Sequence, residues 1–92
     1  MMTLTTTSQF RKDYKRIKKQ GRELALLQSV LDALLAGEPL DVRHRDHALS
    51  GDMAGYRECH IQPDWLLIYR REQERLILVA HRTGTHADLF DA

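Results

Sequence analysis

Cysteine, proline and aromatic side chains are scarce in this chain: its 92 residues include one cysteine, two prolines and one tryptophan. The lone cysteine, Cys59, excludes an internal disulfide framework and makes a reducing compartment the expectation. No apolar run approaches the ~20 residues that a membrane-spanning helix requires. The polar, Thr-rich stretch from Met1 to Gln9 lacks the apolar core of a secretory signal. A cytoplasmic protein that does not associate with membranes is therefore expected. Internal repeats, linkers and low-complexity segments are also missing, which points to one domain over residues 1–92, near the small end of what one core can stabilise. The 42% hydrophobic and 29% charged fractions are those of an ordinary globule, which excludes a disordered chain.

Net charge is only +1, but it is unevenly spread. Arg11, Lys12, Lys15, Arg16, Lys18, Lys19 and Arg22 crowd one short segment against Asp13 alone. Such a block marks either a solvated helix face or a surface for a polyanion. In the same segment Phe10, Tyr14 and Ile17 recur at helical spacing, so the spacing predicts a basic helix over Gln9–Lys19, capped by Ser8 and ended by Gly21. Leu24, Leu27, Leu31 and Leu34, widened by Val30 and Leu35, predict a second helix from Glu23 to Ala36, with Gly37 as its stop. That leucine stripe reads as core. Thr3–Thr7 fits a short edge strand. Glu38–Asp52 reads as irregular. Gly55–Ile61, Trp65–Arg71 and Arg75–His81 read as strands, the last two apolar enough to be central, with turns at Pro63–Asp64 and Thr83–Gly84 and a short helical turn or strand end from Thr85 to Phe90. The predicted architecture is α+β: a two-helix hairpin packed on a small, mostly antiparallel sheet.

Five histidines are many for this length, and four of them (His47, His60, His81 and His86) stand beside carboxylates in the second half. Glu58 and His60 are two apart on one strand and share a face, which turns Cys59 toward the core. Asp64 follows at the next turn and His86 arrives after the last strand, so these groups can converge on one open sheet face. A histidine on a strand is more often structural than catalytic, and only convergence argues otherwise. Imidazole moves protons near neutral pH, and a neighbouring carboxylate holds its tautomer. Such a set suits RNA transesterification, which needs a base for the 2′-hydroxyl, a cation for the phosphorane and an acid for the 5′-oxygen. Arg82 and Arg57 are the candidate cations, and Phe90 or Trp65 the stacking face for a base. His44, His47, Cys59 and His60 are capable zinc ligands, but the first two lie in irregular chain and no cysteine pair accompanies them. No metal or cofactor is expected.

Three segments carry a family resemblance: Asp46-His47-Ala48-Leu49-Ser50-Gly51, Gly55-Tyr56-Arg57-Glu58-Cys59-His60-Ile61-Gln62-Pro63-Asp64-Trp65-Leu66-Leu67-Ile68-Tyr69, and Arg82-Thr83-Gly84-Thr85-His86-Ala87-Asp88-Leu89-Phe90. With the order of the two helices, they make the chain similar to the YafQ family of bacterial toxins in the RelE/ParE superfamily, whose fold is RelE-like and resembles microbial ribonucleases. The resemblance implies a ribosome-dependent mRNA endonuclease that cuts the codon in the A site and arrests translation. It also implies a small cognate antitoxin, a neutralising heterotetramer, and operator DNA bound only as that complex. Carried over residue by residue, it implies functional positions at His47, His60, Asp64, His86 and Phe90. His86 becomes the general acid and His60, backed by Asp64, the base, although these two can exchange roles. His47 and Arg82 contact the phosphate, Phe90 positions the base, and Arg11, Lys12, Lys15, Arg16, Lys18 and Lys19 face ribosomal RNA. A member of the family has aspartate where this chain has Glu58, which leaves Glu58 a supporting role. His81 reads as structural. The alternatives are a gyrase-binding toxin of ParE type, which needs no cluster of His and Asp, and an inactive toxin kept as operator corepressor.

Overall fold

The computed structural model describes residues 1–90. The chain runs β1 (Thr3–Thr6), α1 (Ser8–Lys19), α2 (Leu24–Leu35), β2 (His47–Ala48), β3 (Arg57–Gln62), β4 (Trp65–Glu72), β5 (Ile77–Gly84) and α3 (His86–Phe90). One-turn 3-10 segments at Val42–His44 and Gly51–Met53 flank β2. The sheet order is β1-β5-β4-β3-β2, parallel only between β1 and β5, so the fold is α+β with a mostly antiparallel sheet, as expected. The apolar runs of β4 and β5 are central, and β1 is an edge.

Side-chain alternation divides the sheet into two faces. One face sends Cys59, Ile61, Trp65, Leu67, Tyr69, Leu78 and Ala80 into the core, where they meet Phe10 and Ile17 of α1 and Leu27, Val30, Leu31 and Leu34 of α2. Burying each such leucine contributes about 2 kcal/mol relative to leaving it exposed. The alternate positions Leu66, Ile68 and Val79 lie outside that cluster, yet these three are also buried. They form a second apolar layer on the other face. That layer is the floor of the candidate site.

The helix ends follow their local chemistry, with one difference from expectation. The cap of α1 is Thr7 rather than Ser8: its Oγ1 accepts from the Phe10 amide at 2.9 Å and donates to the His81 carbonyl at 2.7 Å. A β-branched hydroxyl that reaches both the helix and β5 outcompetes the serine beside it. Gly21 adopts φ +77°, and the Arg22 amide returns to the Ile17 carbonyl, which closes α1 with a Schellman turn. Three boundaries also moved. The segment expected to be irregular contains β2, pinned by the His47–Glu58 pairing. The Thr83–Gly84 turn is instead the end of β5, because Leu66 and Leu67 pair with it. Between Ala80 and Arg82 the register shifts, leaving His81 as an extra bulged residue. No helix among the described residues is long and apolar enough to cross a membrane.

Candidate active site

Glu58 stands on the sheet face opposite the one that packs on α1 and α2. Its carboxylate Oε1 lies 3.6 Å from His47 Nε2 and 3.8 Å from His60 Nε2, and the residue is buried. Pairing of β2 with β3 sets His47 directly opposite Glu58, while His60 follows two residues on along β3, on the same face. Both imidazoles are oriented from behind. His47 Nδ1 lies 2.7 Å from the Arg45 carbonyl, and His60 Nδ1 lies 3.3 Å from the Pro63 carbonyl. A carbonyl oxygen only accepts, so each Nδ1 carries the hydrogen and donates. Each Nε2 is therefore the basic nitrogen and is turned toward the carboxylate. An imidazolium formed at either Nε2 would be stabilised by Glu58.

The end of β5 delivers the remaining predicted residues. His60 and Gly84 pair with Leu66 from its two sides, so the register places them two strands apart, about 10 Å. His86 follows Gly84 by two residues and opens α3, where its ring lies 4.8 Å from that of Phe90, one helical turn on. Both rings are exposed. A capping box shapes this short helix: Thr85 Oγ1 accepts from the Asp88 amide at 3.1 Å, and Asp88 Oδ2 accepts from the Thr85 amide at 3.1 Å. Its Thr-x-x-Asp spacing was present in the sequence and is the signal that the turn reading overlooked.

Several expected contacts are not made. Asp64 does not back His60: its carboxylate is exposed and pairs with Arg22 at 3.4 Å. Glu58 and the Pro63 carbonyl face the His60 ring instead, because the bulge after His60 carries Asp64 around the turn. Glu58, expected in a supporting role, thus faces both imidazoles. Arg82 is held by Asp13, to which its Nε and Nη2 donate at 2.8 and 3.0 Å. That carboxylate raises the Arg82 guanidinium above its ordinary range. Arg57 donates to Asp46 at 3.2 Å, and Asp46 also accepts from the Tyr69 hydroxyl at 2.6 Å. This network steadies the residue next to His47. Trp65 offers no stacking face: it is fully buried. Among the six basic residues of α1, Arg16 also departs from expectation, because it turns inward to Asp13 at 3.0 Å while the other five are exposed.

Three further titratable groups lie outside these contacts. Burial, with help from the charges of Asp46 and Glu58, pushes the Cys59 thiol up to about 12. It is therefore no nucleophile at neutral pH. His81 stacks on Tyr56 at 4.6 Å, and burial with the Arg82 and Arg70 charges lowers its basicity. His44 Nδ1 meets the His60 carbonyl at 2.6 Å. Among the described residues no three His, Cys, Asp or Glu side chains are grouped to hold a metal ion.

A family model described as the bacterial toxin of type II toxin–antitoxin system, YafQ, matches residues 2–91. The mRNA interferase toxin YafQ of Escherichia coli (strain K12) is 38% identical over 85 residues, which are 91% of this chain and 90% of that protein. A metal-bound toxin from Helicobacter pylori is 39% identical and superposes with a TM-score of 0.93, covering 98% of this chain and 100% of that one. The toxin in the E. coli DinJ–YafQ complex is 35% identical with a TM-score of 0.89, covering 98% of this chain and 99% of that one.

Proposed function

This chain belongs to the YafQ family of bacterial type II toxins, and we propose that it is a metal-independent endoribonuclease that cuts mRNA at A-site codons on the ribosome and so arrests translation. The observation that carries the reading is the pair of imidazoles whose Nε2 atoms face one buried carboxylate, Glu58, across the sheet from the His86 segment. The E. coli relative is named an mRNA interferase, which agrees with a site of this kind.

In the proposed reaction His60 Nε2 takes the proton of the ribose 2′-hydroxyl, and Glu58 stabilises the resulting imidazolium. The 2′-oxygen attacks phosphorus, the bond to the 5′-oxygen breaks, and His86 gives that oxygen its proton. The products are a 2′,3′-cyclic phosphate and a 5′-hydroxyl end. His47 meets the phosphate, as does Arg82 with the edge of its guanidinium turned away from Asp13. Phe90, stacked beside His86, positions the base. Asp64, paired with Arg22, and Arg57, which shares the Cys59–Tyr69 face of the sheet, take no part in the proton transfers of this reading. The five exposed cations of α1 hold the toxin, a single domain, against ribosomal RNA in the cytoplasm. By analogy with the DinJ–YafQ complex, a cognate antitoxin neutralises the toxin in a heterotetramer, and only that complex binds operator DNA.

The test is cleavage of a defined mRNA with and without 70S ribosomes, for the wild type and for His86→Ala. The wild type should cut only ribosome-bound message, and His86→Ala should be slower by on the order of a hundredfold or more while remaining folded. Equal cutting of naked RNA would remove the ribosome from this reading. Full activity of His86→Ala would remove the acid assignment.

A further inference from the structure

Asp13 interrupts the basic run of α1 and is completely buried. Its carboxylate accepts from Arg82 Nε and Nη2 at 2.8 and 3.0 Å, from the Thr83 amide at 3.2 Å and from Arg16 Nη1 at 3.0 Å. Arg16 continues the chain of contacts. Its Nη2 donates to the Thr83 carbonyl at 3.1 Å and lies 3.7 Å from Asp88 Oδ2. Asp88 in turn caps the helix that begins at His86. The guanidinium therefore touches the backbone on one side of Gly84 and the cap on the other. Gly84 leaves the room: with φ at +154°, a β-carbon there would lie 2.7 Å from Arg16 Nη2 and 3.1 Å from Asp88 Oδ2. A side chain at this position would therefore push the end of the Arg16 guanidinium out of its contacts.

We propose that Arg16, seated on Asp13, is a positioning residue for His86 rather than a contact to ribosomal RNA. This inference rests on the reading of His86 as the acid of an RNA-cleaving site. Three features support it. The guanidinium spends its donors inward, in a planar fork that lysine does not reproduce. Its Nε is buried without a partner, a cost that a merely solvated arginine would avoid by turning outward. Its contacts reach Thr83 and Asp88, three residues before and two residues after His86 in the chain.

The experiment compares Arg16→Lys, Arg16→Met and Lys15→Met in full-length protein. In the free toxin, the ring carbon–proton signals of His86 and Phe90 should move in both Arg16 variants and stay in place in Lys15→Met. On ribosomes at saturation, Arg16→Lys should lose kcat on the order of tenfold or more, the size of effect expected when an acid is misplaced by a fraction of an ångström. Lys15→Met should instead raise KM. A Lys at position 16 keeps the charge, so a simple contact to RNA predicts near-normal Arg16→Lys. Wild-type kcat in Arg16→Lys overturns the proposal, and so does a kcat loss with the His86 ring unmoved. Should the wild type fail to cut ribosome-bound mRNA, the functional reading falls. The ring signals of the free protein then decide the positioning claim alone: moved supports it, unmoved overturns it.

Discussion

Trp65 Nε1 donates to the Thr83 hydroxyl at 2.8 Å, and that hydroxyl donates onward to the Leu66 carbonyl at 2.8 Å. This bond joins the first residue of β4 to the end of β5, beneath the loop that delivers His86. The indole is fully enclosed, with Arg22 stacked 5.4 Å from the ring. Trp65→Phe should remove the bond and part of the packing, costing about 2–3 kcal/mol. In a domain of this size that lowers Tm by roughly 10 °C or more. Thermal unfolding followed by circular dichroism checks the loss. Wild-type tryptophan fluorescence should be blue-shifted and resist acrylamide, and ready quenching would contradict the buried placement.

Glu58 supplies the second expectation. Glu58→Gln keeps the shape of the side chain but removes the charge that faces both imidazoles. The imidazolium formed during proton abstraction then lacks its counter-charge, so single-turnover cleavage should slow on the order of a hundredfold. Glu58→Asp should retain most of the activity because it keeps the charge on a shorter arm. A Glu58→Gln enzyme as fast as wild type would return Glu58 to a supporting role.

How far this site could be read from sequence depends on the distance over which each contact acts. The strands, the leucine face of α2 and the inward turn of Cys59 follow from periodicity, a local property, and they were visible in the order of residues. The proximity of Glu58 to His60 is likewise a two-residue spacing. The meeting of His47 with Glu58 required β2, two residues long, which no periodicity can announce. Asp13 and Arg82 lie 69 positions apart, and nothing local distinguishes this aspartate from a solvated one. Arg16 for the same reason reads as one more surface cation. Asp64 misled in another way, since the resemblance implied a contact with His60, whereas Glu58 and the Pro63 carbonyl face that ring and Asp64 pairs with Arg22.

Stability should fall in two stages as the solution is acidified. His81 is held below its ordinary 6.5, by burial first and then by the Arg82 and Arg70 charges. The unfolded chain therefore takes up this proton before the folded protein does, and stability begins to be lost as pH drops through 6.5. For Asp13, burial alone would raise the carboxyl, but the bonds from Arg82 and the Thr83 amide outweigh it and hold it below 3.8. Its contribution is complete above 3.8 and is lost as pH falls from there through the folded value. Each group adds a slope of at most about 1.4 kcal/mol per pH unit within its window. Urea midpoints measured across pH should show both regions. His81→Gln should flatten the first. Asp13→Asn should flatten the second while costing about 3 kcal/mol at neutral pH, because Arg82 and the Thr83 amide lose their buried acceptor.

The cations of α1 separate into two groups, and this gives the last expectation. Lys12, Lys15 and Lys19 are exposed and lie at spacings of three and four, which places them on one stripe of the helix. Arg16 lies beside that stripe but is tied inward. If the stripe meets ribosomal RNA, each lysine displaces counterions on binding, and the salt dependence of ribosome affinity counts them. Replacing all three by glutamine should reduce the log–log salt slope by roughly 2–3, at about 0.7–0.9 per cation. The loss should appear in KM at physiological salt and shrink as ionic strength rises, because screening already weakens these contacts in the wild type. The chemical step should proceed at its normal rate, since the triple variant leaves Asp13, Arg16 and His86 in place. An unchanged slope would assign the stripe to another surface, such as the antitoxin interface.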